Sequence, residues 1–274
     1  MIDKKKMYTR TLTSVIFGFI VIFLLNYNYW TAFAFLILVS FLTTYEFLKI
    51  KLDNKLNLYL LIIAAFLFGS ELTIVNEFWS PFRNMFYIIS LIVVLLYHLF
   101  LLYGLFFKKN ISTSNRIIVY IQALLYIGLP SVVFHQMVMK ESNVNLVFIM
   151  ILLIWTNDSF AYLTGSMFGK HKLMPSVSPG KTIEGFIGGG AFAVIASLII
   201  SFIYTGNSLI FYVILALIAW IIGTLGDLAE SKIKRVAGIK DSGTIMPGHG
   251  GFLDRFDSYI FIMPWVVLLL YLMR

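Results

Sequence analysis

The chain has 274 residues, 60% of them hydrophobic and 12% charged, with no cysteine and a formal net charge of +8. Soluble globular domains carry about a quarter charged residues. Together with a mean hydropathy of +0.90, this composition excludes a soluble globule, a disordered chain and a coiled coil, and it describes a polytopic membrane protein.

Apolar runs between charged or Gly/Pro/Asn breaks predict nine membrane helices, at 11–26, 29–48, 56–75, 84–107, 117–139, 144–165, 183–204, 208–228 and 258–273. A helix needs about 20 residues to cross the hydrocarbon, so the first and last are short, and counts of eight or ten stay open. The expected fold class is all-α, a membrane helix bundle. With the N-terminus in the cytoplasm, the inward segments hold Lys4, Lys5, Lys6 and Arg10; Lys49, Lys51 and Lys55; Lys108, Lys109 and Arg116; Lys170, Lys172 and Lys181; and Lys232, Lys234, Arg235, Lys240 and Arg255. Only Arg83, Lys140 and Arg274 fall outside. This asymmetry predicts a cytoplasmic N-terminus and an outer C-terminus. No small-residue cleavage site follows the Lys4–Lys6 run, so an uncleaved first helix is expected rather than a signal peptide.

Residues 1–143 read as an N-terminal block of about five spans. Residues 144–274 read as a C-terminal catalytic block with two cytoplasmic loops, 166–182 and 229–257, rich in Gly, Pro and charge. No internal repeat supports an inverted-repeat transporter. A soluble basic face is missing too, so no nucleic-acid partner is expected.

Of the 13 acids, the first six, Asp3, Glu46, Asp53, Glu71, Glu77 and Glu141, fall in the tail, in short loops or near helix ends, where solvation is cheap. The other seven belong to the C-terminal block. Asp158 lies within a span, where an ionisable group costs several kcal/mol unless paired or hydrated. Asp227 with Glu230, and Asp254 with Asp257, are each spaced i, i+3, which on a helix puts both carboxylates on one face. Two such pairs at neighbouring helix ends repel unless a cation lies between them. With thiolates excluded, oxygen donors at a membrane surface suit Mg²⁺, which takes one or two carboxylates and leaves its other positions to water and phosphates.

The loop between the pairs, Ser231 to Asp257, carries Lys234, Arg235, Lys240 and Arg255, which can neutralise phosphates. Its glycines at 243, 248, 250 and 251 allow close backbone approach. Lys232 reads as a topology lysine and His249 as a loop residue between glycines. Gly180-Lys181-Thr182 imitates the end of a P-loop, but Pro175 stands where a glycine is required, and no strand precedes it. The stretch can still bring Lys181 and a helix N-terminus to a phosphate. Acids for a metal beside cations for phosphates are what nucleotidyl transfer needs.

The run Ser-x-x-Lys-Arg-x4-Lys-Asp, Pro-Gly-His-Gly-Gly, Asp-Arg-x-Asp from Ser231 to Asp257 closely resembles the signature of the phosphatidate cytidylyltransferases, or CDP-diglyceride synthases. Gly223 to Ser231, Asn157-Asp158, Gly165 and Ser178 to Gly185 resemble the same family. The likeness covers about Trp155 onward, with Met246 a small departure. It implies a phospholipid-biosynthetic enzyme of the cell membrane, with its site facing the cytoplasm: CTP plus phosphatidic acid gives CDP-diacylglycerol plus pyrophosphate, with Mg²⁺ as cofactor. A second cation and a homodimer stay open.

On this reading Asp227, Glu230, Asp254 and Asp257 hold metal. Lys234, Arg235, Lys240, Asp241, His249 and Arg255 act on or around the phosphates. Asp158, Lys181, Glu184, Gly248, Gly250 and Gly251 complete the substrate site. The alternatives are a CTP-dependent enzyme acting on another lipid phosphate, and a cation transporter lined by the acids. A CDP-alcohol phosphotransferase is set aside because no Asp-Gly-x-x-Ala-Arg run is present.

Overall fold

A computed structural model describes residues 4–52, 83–107, 115–140, 144–245 and 250–273. Eight long helices run through it. They are α1 (Lys4–Tyr27), α2 (Tyr29–Leu52), α3 (Arg83–Phe106), α4 (residues 116–140), α5 (Val144–Phe168), α6 (Ile183–Ile203), α7 (Leu209–Val236) and α8 (Leu253–Leu272). Seven are long and apolar enough to cross a membrane, and α1 adds a shorter apolar stretch, Val15–Tyr27. The span expected at 56–75 lies outside the described residues. Outward side chains such as Phe19, Phe202 and Ile203 are exposed, as helices facing lipid require.

Local chemistry sets the helix ends. Asn28 alone separates α1 from α2, and its Oδ1 accepts from Thr31 N–H at 2.8 Å. Ser208 caps α7 through Phe211 N–H, and Thr182 caps α6 through Gly185 N–H at 3.1 Å. One-turn π segments interrupt α4 at Leu124–Gly128 and α7 at Ile218–Ile222, the second directly before the stretch that carries Asp227.

α8 is the central helix. Phe256 to Pro264 are all buried, ringed by α2, α3, α4, α5 and α7. Helices α5 and α6 lie against each other on small residues. A Cβ on Gly185 would stand 2.6 Å from the Ala161 carbonyl, and one on Gly189 would stand 2.6 Å from the Asn157 carbonyl, the close approach that glycine permits between membrane helices.

The structure differs from the sequence expectation in three places. The 166–182 loop is an antiparallel hairpin, β1 (Lys172–Met174) with β2 (Ser178–Thr182). Pairs Lys172–Thr182 and Met174–Ser178 set Leu173 against Pro179, Gly180 and Lys181, so the pairing is bulged. Helix α7 continues beyond residue 228 to Val236, and α8 begins at Leu253 instead of 258. Hydropathy marks the lipid-spanning stretch, whereas the backbone hydrogen bonds run on into the polar end. Both acid pairs therefore stand on helix.

Candidate active site

The ends of α3, α5 and α7 and the start of α6 meet the hairpin at one end of the bundle, where the end of α2 also meets the start of α8. Lys232 Nζ donates to the Gly104 carbonyl at 2.6 Å, tying α7 to α3. Arg235 donates to the carbonyls of Ile239, at 2.9 Å, and of the hairpin residue Val177, at 3.4 Å. Val177 itself packs with Leu105 and Leu228.

Helices α7 and α8 come together where Gly226 faces Phe261, a contact that leaves no room for a Cβ. Ser258 Oγ donates to Gly223 O at 3.0 Å on the same seam. This seam brings the acid pairs face to face. Lys234 lies between them, its Nζ 2.6 Å from Glu230 Oε2 and 2.5 Å from Asp254 Oδ1. The Glu230 contact is an ion pair by distance without directed hydrogen-bond geometry, and Glu230 is 1% exposed.

Lys181, carried out on the bulge of β2, sets its Nζ 2.6 Å from Asp227 Oδ2, and Ser231 Oγ donates to Asp227 Oδ1 at 3.3 Å. Burial works against the Lys181 charge, but Asp227 first, then Asp158 and Asp257, outweigh it and lift the ammonium above its ordinary value. Lys181 thus contacts one carboxylate, on α7, and feels the charge of two more, on α5 and α8. Asp158 is exposed beside it, with Asn157 Nδ2 donating to its Oδ1 at 3.2 Å. Asp257 is buried and accepts from its neighbour Ser258 N–H at 2.6 Å. No chain cation lies within salt-bridge distance of it among the described residues.

Other expected site residues have different surroundings. Both Asp254 oxygens are taken by protein donors: Lys234 on Oδ1, with Ser242 N–H at 2.9 Å and Gly251 N–H at 2.7 Å on Oδ2. The structure gives Asp254 the task of holding the loop. Glu184 turns to His171, whose Nδ1 is 2.6 Å away, and accepts from the Lys170 and His171 amides, so it fastens the hairpin entry. Lys240, Asp241 and Arg255 are exposed at the rim. Gly250 has φ 83°, a left-handed turn that favours glycine, and Gly251 is buried. Gly248 and His249 lie outside the described residues.

Sequence reasoning missed Glu46. Near an apparent helix end beside Lys49 and Lys51 it reads as solvated, yet it is 1% exposed and accepts hydrogen bonds from Ser242, Phe252 and Leu253. Nothing in its local sequence signals this, because every donor is far away along the chain. Ser242 was missed for the same reason.

A family model described as the cytidylyltransferase family matches residues 8–273. The chain belongs to the cytidylyltransferase family. Proteins named phosphatidate cytidylyltransferase are similar to it. That of Staphylococcus aureus (strain N315) is 42% identical over 151 residues, 55% of this chain and 57% of the relative. The Staphylococcus haemolyticus protein matches to the same extent, and that of Bacillus subtilis (strain 168) is 39% identical over 167 residues, 59% and 61% of the two chains. The match spans less than two thirds of each curated relative's length. The member of the family described here gathers Lys181, Lys234, Asp227, Glu230 and Asp254 at one end of a multi-pass membrane bundle.

The donor set can be tested against the magnesium ion that nucleotidyl transfer implies. Asp227, Asp257, Asp158 and Glu230 are all hard oxygen donors, and Asp257 is buried with no Lys or Arg within salt-bridge distance among the described residues. No preformed cage of three His or acidic groups exists among the described residues. The oxygen donor set fits Mg²⁺, which uses one or two carboxylates and completes its shell with water and substrate phosphates.

Proposed function

We propose that this chain is a phosphatidate cytidylyltransferase that makes CDP-diacylglycerol and pyrophosphate from CTP and phosphatidic acid, at the cytoplasmic face of the cell membrane. The observation that carries the reading is the assembly of Lys181 with Asp158, Asp227 and Asp257 at the polar end of a membrane bundle. The names of the chain's relatives support the substrates.

A phosphatidate phosphate oxygen attacks the α-phosphorus of CTP; one P–O bond forms there while the bond to the α,β-bridging oxygen breaks, its electron pair leaving with pyrophosphate. The attacking phosphate is already ionised near neutral pH, so the chain needs neither a nucleophile nor a general base, and its contribution is position and charge. Lys181 and Lys234, held by acids on two sides, present fixed cations to the phosphates, with Arg255 and Lys240 at the rim. Fixed charges already in place cost no reorganisation when the transition state forms. Asp227 and Asp257 would hold magnesium, which when bound offsets charge on the phosphates. Acyl chains stay among the lipid-facing helices while the nucleotide arrives from water, which is why the site belongs at a helix end.

The test is incubation of purified protein in detergent with labelled CTP, phosphatidic acid and Mg²⁺. Label entering the organic phase, lost on chelation and in Asp257→Asn, is the expected result. Label with a different lipid phosphate instead of phosphatidate would keep the chemistry and change the acceptor.

A further inference from the structure

Glu46 belongs to the half of the chain that the reaction above does not use. Its carboxylate is nevertheless held entirely by the far loop: Oε2 accepts from Ser242 Oγ at 2.7 Å and Leu253 N–H at 2.8 Å, and Oε1 from Phe252 N–H at 3.0 Å. No Lys or Arg pairs with it among the described residues. A buried carboxylate is costly unless hydrogen-bonded, and here all three donors lie 196 to 207 positions away.

Two of those donors are the amides at the very start of α8, which have no partner within their own helix. Phe252 at the cap position offers no side-chain cap, so Glu46 caps α8 from another helix and sets a negative charge at its positive end. The loop is shaped around this carboxylate. A Cβ on Gly243 would stand 2.5 Å from Oε1, and one on Gly251 would run into Oε2. Ser242 then passes the constraint on, because its own N–H is bound by Asp254.

We infer that Glu46 is a positioning residue for the nucleotide: it fixes the loop segments 242–245 and 250–252 and the first turn of α8, and so sets the turn at Gly250 and Asp257 relative to Lys181. This rests on the reading of the chain as a CTP-dependent enzyme.

The experiment compares the wild type with Glu46→Gln and Ser242→Ala in detergent, by amide hydrogen exchange with and without CTP and by steady-state kinetics. In Glu46→Gln an NH₂ must face at least one N–H donor. Exchange at amides of 242–245 and 250–256 should rise about tenfold or more, the equivalent of about one lost hydrogen bond, while α5 and α6 keep their protection. The CTP KM should rise about tenfold and the phosphatidate KM stay within about twofold. Ser242→Ala should move both readouts the same way by less, and decides the matter if Glu46→Gln does not fold. Unchanged loop exchange overturns the proposal, as does a fall in kcat with both KM values untouched. A wild type that labels no lipid overturns the enzymatic reading instead. In that case CTP protection of the loop that disappears in Glu46→Gln still supports the clamp, and protection that persists overturns it.

Discussion

The Lys181 ammonium and the Asp227 carboxylate, 2.6 Å apart, join the hairpin to α7 and close the acidic end of the bundle. Removing the cation leaves Asp227 without its partner and the charges of Asp158 and Asp257 uncompensated by it. Lys181→Met should lower turnover about 10²–10³-fold, the cost of one preorganised charge-stabilising group, measured by lipid labelling at saturating CTP.

The same pair has a defined pH response. Lys181 is raised above its ordinary value of 10.5, so its contribution to stability is fully present below 10.5 and is lost as pH rises through the higher folded value. Between pH 6 and 9 this lysine should add no slope to either melting temperature or activity. A melting series carried to strongly alkaline pH, in wild type and Lys181→Met, checks it: the two curves should converge only at the alkaline end.

Asp254 and Asp257 should separate by phenotype. Asp254→Asn keeps one acceptor oxygen but turns an NH₂ toward either Lys234 or the Ser242 and Gly251 amides, and should destabilise by about 2–4 kcal/mol. Asp257→Asn loses no such set of donors and should keep its melting temperature within a few degrees while turnover disappears. Thermal unfolding beside lipid labelling distinguishes them, and equal melting losses would count against the assignment.

Gly226→Ala tests the seam between α7 and α8. Its Cβ would be driven into Phe261, so a loss of about 1–3 kcal/mol is expected from overpacking, with Phe261→Leu in the same chain restoring part of it.

His171→Ala is expected to do little. The His171 side chain is 75% exposed, and exposed pairs of this kind contribute little to stability. Both KM values should stay within about twofold of wild type.

The helical architecture was legible because apolar runs long enough to span a bilayer have few alternative folds. The acid pairs were legible because i, i+3 spacing survives any error in helix ends. What escaped depended on tertiary approach. Glu46 looks like any acid near a helix end, since its partners come from the opposite end of the chain. The glycines at 185 and 189 read only as part of a span, because the carbonyls they admit belong to α5. The hairpin, short and containing Pro179 and Gly180, has no alternation of polar and apolar residues to reveal it. The amides that Asp254 accepts from were hidden too, because spacing shows that a carboxylate is present but not which donors reach it.

The centrality of α8 has a consequence for biogenesis. It emerges from the ribosome after every other element described here, yet it forms the axis on which α2, α3, α4, α5 and α7 converge. The earlier helices must wait in the bilayer around a gap, and Glu46 stays uncovered until α8 slides in. Partial chains released during synthesis would therefore be inert, and turnover in a cell would report only on chains whose insertion had run to completion.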